Sequence, residues 1–455
     1  MRPQADVRMP VPAGSRQLAT WVRWRICALM VAASFVAYIL RTNMSVAGEP
    51  MAADLQLSHV QLGVVLSGWA WGYALLQFPG GVLGDRLGGR RMITTLALCW
   101  GVLNLLVAFV PGRAVLPITG VIVILVLLRF LMGAAQAPLF PVIGGRMLAC
   151  WFPVGGWALP NALQNVGITF GAAATGPLVA GLAETSGWRN SFLLTAPLAL
   201  LLAGCWWWYV RDHPSHHPGV NPAELALIDD GRITSIDAPP EPGGWRLVLR
   251  DRQVRLITGG YFCANFVFYF FFNWLFIYLI EARGFKLLEG GWYAALPWMA
   301  GALGAFLGGW SCDRLWKRLG PRQACRLLGA GALTVSGLFL VAAARAVGPG
   351  WAVALLAVCL AAEQFTDAIY WAAMIAVAGR QASSGCGVMN TGGNLSNGIV
   401  ALLVPVVVDR FGWSVAVAGG AGFAFVAAAV WLVTAADRQL ADRPAVVAPE
   451  AVATS

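Results

Sequence analysis

Charged residues are scarce in this sequence, and its histidines and cysteines form no recognisable site. Asp, Glu, Lys and Arg make up 11% of the 455 residues, whereas 58% are hydrophobic. A soluble domain of this length does not need so much apolar surface. The nine cysteines show neither metal-binding spacing nor a disulfide framework, and the four histidines lie in loops or at the edge of an apolar stretch. The composition therefore argues against an ordinary soluble protein and predicts no metal site.

Motifs for nucleotide binding and for covalent chemistry are also missing. The sequence contains no phosphate-binding glycine loop and no nucleophile–base pair. We therefore expect neither an enzyme nor an ATP-driven pump, and no cofactor apart from H⁺ as a coupling ion. Residues 1–22 are polar and basic, without a short apolar core and cleavage site, so we predict no removable signal peptide.

Long apolar stretches dominate what remains. A helix of ~20 residues, rising ~1.5 Å per residue, matches the ~30 Å hydrocarbon core of a bilayer. We predict an all-α membrane protein with about twelve transmembrane helices of this kind. The predicted spans are 23–47, 60–82, 92–112, 116–141, 157–183, 189–210, 253–280, 290–312, 326–347, 350–378, 385–409 and 413–436.

Lysine and arginine are distributed unevenly between the two sets of loops. Of the 31 Lys and Arg residues, six lie in or beside the loops of one side, and 23 lie in the tails, in the remaining loops or at the span ends beside them. The last two lie well inside predicted spans. The positive-inside rule then places both termini in the cytoplasm, and we expect the chain in the cytoplasmic (inner) membrane. This clustering explains the net charge of +10 without a nucleic-acid partner.

The longest polar gap divides the predicted spans into six and six. It contains Pro239-Pro240, Gly243-Gly244 and several charges, which is typical of a linker. The predicted organisation is a cytoplasmic tail (1–22), a six-helix bundle (23–210), a cytoplasmic linker (211–252), a second bundle (253–436) and a cytoplasmic tail (437–455).

The two halves resemble each other in sequence. Residues 78–86 and 306–314 share a Phe, two Gly, an Asp and an Arg at an offset of 228, and Gly187-Trp188 recurs as Gly412-Trp413 at an offset of 225. Such a repeat predicts two pseudo-symmetric bundles with a binding site between them.

The repeated Asp-Arg segments are candidate gates. An acidic side chain there can cap the N-terminus of a neighbouring helix or pair with a loop arginine in one conformation only. A plain basic loop would account for the arginines but not for Asp85. The predicted gating residues are Asp85, Arg86, Arg90, Asp313 and Arg314.

Two arginines lie inside predicted spans, where a central charge costs roughly 2.5–3.5 kcal/mol on insertion scales. Arg41 lies toward the outer end of the first span, and Arg129 near the middle of the fourth. The planar guanidinium binds a carboxylate with two hydrogen bonds, so we predict an anion clamp. The alternatives are that Arg41 extends to the interface and that Arg129 makes a structural ion pair or carbonyl contact.

Two carboxylates are predicted deep in the tenth span. Glu363 and Asp367 are four residues apart and share a helix face, which Trp371 continues. Two carboxylates this close repel each other in a low dielectric, so protonating one relieves the repulsion and the pair is a candidate proton carrier. We expect them to neutralise Arg129 partly in the empty carrier, and Trp371 to stack on a flat substrate. The alternatives are a plain counter-ion and core packing.

Buried amides supply the remaining candidates. One polar stripe follows the seventh span and another the eleventh. Substrate hydroxyls would satisfy these amides, although hydrogen bonds between helices would also do so. Tyr38, Tyr73 and Gln136 are expected to line the same cavity. The stripe residues are Asn265, Tyr269 and Asn273 on the seventh span, and Asn390, Asn394 and Asn397 on the eleventh.

Several segments match a known family pattern. Residues 81–91, Gly-x-x-x-Asp-Arg-x-Gly-Gly-Arg-Arg, resemble the signature loop of the major facilitator superfamily. Four further stretches resemble its anion:cation symporters, the group of sialin and bacterial sugar-acid carriers, which implies the major facilitator fold. They are Tyr38-Ile-Leu-Arg41-Thr-Asn43-Met-Ser45-Val-Ala; Arg129 to Pro141 with Trp151-Phe-Pro153; Phe268 to Trp274 with Tyr278 to Gly284; and Asn390-Thr-Gly-Gly-Asn394.

The chain departs from that family at its usual proton carriers. Many bacterial members have Asp just before the arginine of the first helix, where this chain has Leu40, and Glu in the fourth helix, where it has Gln136. Neither residue here can titrate. Any proton coupling is therefore expected to use Glu363 and Asp367.

These observations predict a secondary active transporter that works by alternating access. It would import a small organic anion, a carboxylate such as a sugar acid or aromatic acid, by proton symport. Two alternatives stay open: an uncoupled uniporter or anion exchanger, and a transporter-derived sensor that binds the anion without moving it. The expected partners are the anion and the bilayer, with no nucleic acid or nucleotide, and the chain is expected to act as a monomer.

Overall fold

The computed structural model describes residues 18–230, 243–285 and 287–440, except for the side chains of 59 and 287–292. The outer parts of the predicted tails, 1–17 and 441–455, and the middle of the predicted linker, 231–242, lie outside the described residues.

Six long helices form the first half. The fourth helix is interrupted at Ala137 and Pro138, because proline lacks the backbone N–H donor that a regular helix needs. It continues as Leu139–Pro141, a π-helical turn (Val142–Met147) and Leu148–Trp151. The helices are α1 (Val22–Leu55), α2 (His59–Leu87), α3 (Gly89–Ala108), α4 (Ile118–Gln136), α5 (Ala158–Ser186) and α6 (Trp188–Tyr209).

The second half repeats this order. Gly320 interrupts the eighth helix with a φ of 76°, and a π-helical turn (Arg326–Ala330) precedes the ninth. The tenth resumes after Thr366 as a second segment (Asp367–Ala378). The helices are α7 (Arg252–Glu281), α8 (Leu287–Cys325), α9 (Gly331–Arg345), α10 (Pro349–Phe365), α11 (Ala382–Phe411) and α12 (Trp413–Val433). The predicted all-α class is confirmed.

Within the described residues, nine helical stretches are long and apolar enough to cross a bilayer. Two of them, Tyr293–Arg345 and Pro349–Phe411, contain 53 and 63 residues, more than twice the ~20 residues that one span requires. α2 is not among the nine. The chain is a multi-pass membrane protein, and the number of twelve spans stays a prediction.

The described parts of the linker form two short helices, Pro222–Asp229 and Trp245–Arg250. The first is fixed to α1 by the buried Glu224, whose carboxylate accepts hydrogen bonds from the backbone N–H groups of Val22 and Arg23 at 3.0 Å. A carboxylate at this position caps the helix and complements its dipole. We call this end of the bundle the linker end, and the opposite end the far end.

Asp85 and Asp313 tie the two halves together at the linker end. Asp85, at the end of α2, accepts hydrogen bonds from the N–H groups of Ser383 and Ser384 at 3.0 and 2.8 Å, at the start of α11. Asp313, in α8, accepts from Ala158 and the next residue at 2.9 and 3.0 Å, at the start of α5. Each aspartate therefore caps a helix of the other half, one of the two arrangements expected from the sequence.

Close backbone contact accompanies these caps. A Cβ added to Gly81 of α2 would lie 2.3 Å from the carbonyl oxygen of Ser383, and one added to Gly309 of α8 would lie 2.8 Å from that of Ala158. Nearer the far end, a Cβ on Gly63 of α2 or on Gly398 of α11 has no described heavy atom within 4 Å. The halves thus close against each other at the linker end and part toward the far end.

The Gly-Trp repeat has one structural role in both halves. Gly187 and Gly412 have φ values of 87° and 80°, which favour glycine, and each begins the last helix of its half. The indole of Trp188 donates to Asp54 at the end of α1 at 3.0 Å. That of Trp413 donates to Glu281 at the end of α7 at 3.2 Å. The repeat therefore joins the first and last helices of each bundle at the far end.

Candidate functional site

Arg41 lies in an aromatic cage. Its guanidinium carbon is 4.0 Å from the ring centre of Trp69 and 5.2 Å from that of Tyr73, and these two rings of α2 stack on each other at 4.6 Å. One Nη also donates to the hydroxyl of Tyr38 at 3.1 Å. Cation–π contacts of this kind hold an arginine without consuming its charge. Arg41 is therefore held over α2 by these rings.

Arg129 is buried close to Arg41. Only 5% of it is exposed; its Nη2 is 3.4 Å from the carbonyl oxygen of Arg41, and its Nε has no hydrogen-bond partner among the described residues. The charges of Arg129 and Arg41 also repel each other. Among the described residues, neither interior arginine has a carboxylate within 4.0 Å, whereas Arg189 at the far end pairs with Asp54.

The expected neutralisation of Arg129 by Glu363 and Asp367 is not found. Asp367 instead accepts hydrogen bonds from the amide of Asn165 at 2.7 Å and the hydroxyl of Tyr261 at 3.0 Å. Glu363 accepts from the amide of Gln364 at 3.0 Å. Neutral donors next to the carboxylates thus satisfy them, and no carboxylate of the described residues pairs with the arginines on α1 and α4.

The break at Thr366 places Asp367 at a helix start. Its segment, Asp367–Ala378, begins where α10 ends, and Glu363 remains an electrostatic neighbour of Asp367. The N-terminus of a helix favours negative charge. Because Asn165 lies on α5, the Asp367–Asn165 hydrogen bond also crosses between the two halves.

Trp371 is not open to a substrate in this conformation. A Cβ added to Gly144, in the π-helical turn after α4, would lie 2.5 Å from its ring. The tryptophan is 6% exposed and also interacts with Asp367. Its ring is therefore part of the contact between the halves in this conformation, which is the packing alternative, and substrate stacking stays a prediction.

Gln136 makes two hydrogen bonds within its own half. Its Nε2 donates to the carbonyl of Ala37 on α1 at 3.0 Å, and its Oε1 accepts from the indole of Trp69 on α2 at 2.9 Å. The amide therefore braces the tryptophan that lies under Arg41. Its predicted contact with substrate stays a prediction.

The amide stripes of α7 and α11 bond largely to each other. Tyr269 donates to Asn394 at 2.7 Å, and Asn273 to Asn397 at 2.8 Å. Asn265 donates to the carbonyl of Tyr261 one turn earlier. Hydrogen bonding between helices, one of the two alternatives, is thus what the structure contains for Tyr269 and Asn273, whereas Asn265 bonds within its own helix.

Tyr269 and Asn390 also face the arginine cluster. The hydroxyl of Tyr269 is an electrostatic neighbour of Arg41 and Tyr73, and Asn390 interacts with the hydroxyl of Tyr73. The first half therefore presents cations and aromatic rings, and the second half presents hydroxyl and amide groups, to one space between α1, α2, α7 and α11. Such a space suits a polar anion with hydrogen-bonding groups.

The arginines expected at the gate contact their own half. Arg90 donates to the carbonyl of Trp207 through Nε and Nη2, at 3.0 and 2.7 Å. The guanidinium of Arg314 lies 3.8 Å from the ring centre of Trp310, and Arg86 is exposed. Contact between the halves at this position therefore comes from Asp85 and Asp313, and a gating role of the arginines stays a prediction.

Comparison with known proteins decides the family. The profile described as Major Facilitator Superfamily matches residues 30–382. The chain belongs to this superfamily. Major facilitator proteins are transporters, so the expectation that the chain is not an enzyme is confirmed.

Two relatives cover most of the chain. The probable sulfoacetate transporter SauU of Cupriavidus necator is 31% identical over 86% of this chain and 88% of its own length. The probable galactarate/D-glucarate transporter GudP of Bacillus subtilis is 34% identical over 69% of each chain. These relatives agree with the resemblance to bacterial sugar-acid and organic-anion carriers within the major facilitator superfamily.

Solved structures support the same fold. A structure of the E. coli fucose:proton symporter FucP, in the outward conformation, superposes with a TM-score of 0.67 at 16% identity. The match covers 91% of this chain and 99% of FucP. At this identity the likeness shows the major facilitator fold alone.

The candidate residues predicted from the sequence do not include Trp69, Tyr261 and Asn165. Tyr261 lies four residues before Asn265, so it continues the polar stripe of α7 by one helical turn. Trp69 precedes Tyr73 by the same spacing. That periodicity could have revealed both residues, whereas nothing local in the sequence pairs Asn165 with Asp367.

Proposed function

We propose that the chain is a secondary active transporter of a small organic anion, a carboxylate or a related acid of the sugar-acid type. It would work as a monomer in the cytoplasmic membrane, with both termini in the cytoplasm and the anion moving inward. The proposal agrees with the printed substrates of SauU and GudP, sulfoacetate and galactarate or glucarate.

The observation that carries the proposal is the pair of interior arginines without a carboxylate partner. Burying a charge without a counter-ion costs several kcal/mol. A protein that keeps Arg41 and Arg129 in this state gains that energy back when an anion binds. The fork of Arg129, whose Nε has no partner among the described residues, can bind a carboxylate or sulfonate with two hydrogen bonds.

Proton coupling is assigned to Asp367 and its neighbour Glu363. In its ionised form Asp367 accepts the cross-half hydrogen bond from Asn165. Protonation weakens that acceptor, so it favours separation of the halves at the linker end. A proton and a substrate that both bias the same conformational equilibrium are thermodynamically linked, which is the basis of symport.

An uncoupled exchanger is the second candidate, and one observation favours it. The family's usual proton carriers are replaced here by Leu40 and Gln136, and neither of these side chains can titrate. An exchanger would show counterflow of labelled anion in liposomes that is independent of an imposed pH gradient. A sensor would bind the anion and show no counterflow at all.

Thermal stabilisation of the purified protein tests anion binding directly. A ligand that binds only the folded state raises the melting temperature. We expect a shift with mono- or dicarboxylic sugar acids or sulfoacetate. Arg129→Gln should weaken binding by ~10–100-fold, the effect of losing ~1.5–3 kcal/mol of charge-assisted hydrogen bonding.

The matched control is Arg345→Gln, which removes the same charge from an exposed position at the far end of α9. It should bind the acid like the parent. Stabilisation by neutral or cationic compounds but by none of the acids would overturn the proposal. Unchanged acid affinity in the folded Arg129→Gln variant would show that Arg129 is structural.

A further inference from the structure

A groove on the membrane-facing surface separates α9 from α12 near the linker end. It has a volume of about 710 Å³, within the usual ~300–1,000 Å³ of small-molecule sites. Its lining is mostly apolar, with Arg326 at the end of the groove nearest the linker. The lining residues are Gln323, Arg326, Leu327, Ala330, Gly331, Thr334, Phe425, Ala428, Ala429 and Leu432.

Small residues between two bulky contacts create the groove. Trp431 of α12 packs on Gly329, where an added Cβ would lie 2.7 Å from its ring, and Phe425 packs on Gly337 in the same way at 2.7 Å. Between these contacts, a Cβ on Gly331 has no described heavy atom within 4 Å. The helices are thus held together at two points, and their surface is recessed in between.

The length of the groove matches one leaflet. From Arg326 to Thr334 the chain advances eight residues, or ~12 Å at ~1.5 Å per residue. One leaflet contributes about half of the ~30 Å hydrocarbon core. An acyl chain lying along Leu327, Gly331 and Phe425 would therefore extend from the membrane edge toward its middle.

The charge at the edge of the groove selects the headgroup. The segment 314–326 contains five cationic residues and no acidic one. Arg326 is held in place by a hydrogen bond from its Nε to the carbonyl of Thr434 at 3.0 Å, and no described residue accepts from its Nη groups.

We propose that the groove between α9 and α12 binds one acidic phospholipid, with an acyl chain along the apolar lining and the phosphate on Arg326. Basic pockets between membrane helices on the cytoplasmic side bind acidic headgroups in this way. The site is separate from the cavity of Arg41 and Arg129, and it does not depend on the transported substrate.

The test is native mass spectrometry of the purified full chain in detergent. The probe is an equimolar mixture of phosphatidylglycerol and phosphatidylethanolamine with identical acyl chains. We expect the parent protein to retain phosphatidylglycerol over phosphatidylethanolamine by about fivefold, the ratio that one basic side chain near an acidic headgroup supports. Arg326→Gln should abolish this preference. Equal retention of the two lipids by the parent protein would overturn the proposal.

Two further variants separate this site from general attraction of acidic lipids to basic loops. Arg255→Gln removes the same charge at the linker end of α7, where the residue is exposed, and should leave the preference unchanged. Gly331→Leu keeps every charge but fills the groove, so it should reduce retention of both lipids. An equal effect of Arg255→Gln and Arg326→Gln, or full lipid retention by Gly331→Leu, would overturn the proposal.

Discussion

The two halves carry opposite charges where they meet, although they repeat one fold. The first half contributes Arg41 and Arg129, and the second contributes Glu363 and Asp367. The capping aspartates and the Gly-Trp pairs are shared by both halves. The repeated residues thus build the frame, whereas the residues that differ supply the site.

One pair of positions makes this contrast clear. Gln136 and Asp367 are separated by 231 residues, as are the first residues of α4 and α10, Ile118 and Pro349. Gln136 bonds to α1 and α2 of its own half, whereas Asp367 bonds to Asn165 of the other half. A neutral amide therefore braces one bundle, and a titratable carboxylate at the related position connects the two.

The largest effect is expected from removing the charge that makes these positions different. Asp367→Asn should abolish proton-driven accumulation of the anion while counterflow exchange continues, because the amide cannot bind and release a proton. We expect accumulation to fall by at least ~fivefold, the lower range of coupling between linked sites. Uptake by proteoliposomes with and without an inward proton gradient measures this.

Substitutions of Asn165, the hydrogen-bond partner of Asp367, provide the control for this prediction. Asn165→Asp would place two carboxylates face to face and should release the halves at the linker end, whereas Asn165→Ser should only weaken the contact. Accumulation by Asp367→Asn equal to that of the parent would remove Asp367 from coupling. It would also favour the uncoupled exchanger.

The next effect concerns closure at the linker end. Gly81→Ala puts a Cβ 2.3 Å from the carbonyl oxygen of Ser383, and Gly309→Ala puts one 2.8 Å from that of Ala158. Overpacking of this kind typically costs ~1–3 kcal/mol, so both variants should favour separation at the linker end, Gly81→Ala more strongly. Labelling of a single introduced cysteine beside the linker measures the shift.

Gly63→Ala is the matched control, since its Cβ meets no described heavy atom within 4 Å. It should label like the parent. Equal labelling of Gly81→Ala and Gly63→Ala would mean that the tight contact at Ser383 does not hold the closed state.

A smaller effect is expected when position 136 of the first half is also given a titratable side chain. A protonated Glu at position 136 can repeat both hydrogen bonds of Gln136, donating to Ala37 and accepting from Trp69. The ionised form has no proton to donate to Ala37. Gln136→Glu should therefore make anion binding pH-dependent, and melting shifts with the acid at acidic and neutral pH would measure it. Gln136→Met, which cannot titrate, should bind without that dependence.

The frame could be predicted from the sequence because its signals are local. Apolar length predicted the helices, and the repeat of Phe, Gly, Asp and Arg predicted related contacts at the linker end. The partners of the interior charges depend on how the two bundles meet. Asn165 and Asp367 are 202 residues apart, and no spacing rule connects them. Glu363 and Asp367 were expected to face Arg129 because opposite charges attract, but nearby amides and a tyrosine satisfy them first.

The smallest effect sharpens the comparison at the far end. Asp54 bonds to Trp188 and pairs with Arg189 at 2.5 Å, whereas Glu281 bonds to Trp413 and the residue after that tryptophan is Ser414. Asp54 and Arg189 are about half exposed, so solvent screening limits the pair to at most ~1 kcal/mol. Arg189→Gln should therefore lower the free energy of unfolding only slightly.

The second half offers the reciprocal change. Ser414→Arg places a guanidinium beside Glu281, at the position that Arg189 occupies 225 residues earlier. If the far ends of the two halves are equivalent, Ser414→Arg should raise the free energy of unfolding by about as much as Arg189→Gln lowers it. Both changes in free energy should be smaller at high salt because exposed ion pairs are screened. Melting temperatures of the two variants at low and high salt provide the measurement. A loss in Arg189→Gln that is insensitive to salt would instead indicate that the arginine acts mainly by packing its guanidinium on Trp188, 4.2 Å from the ring centre.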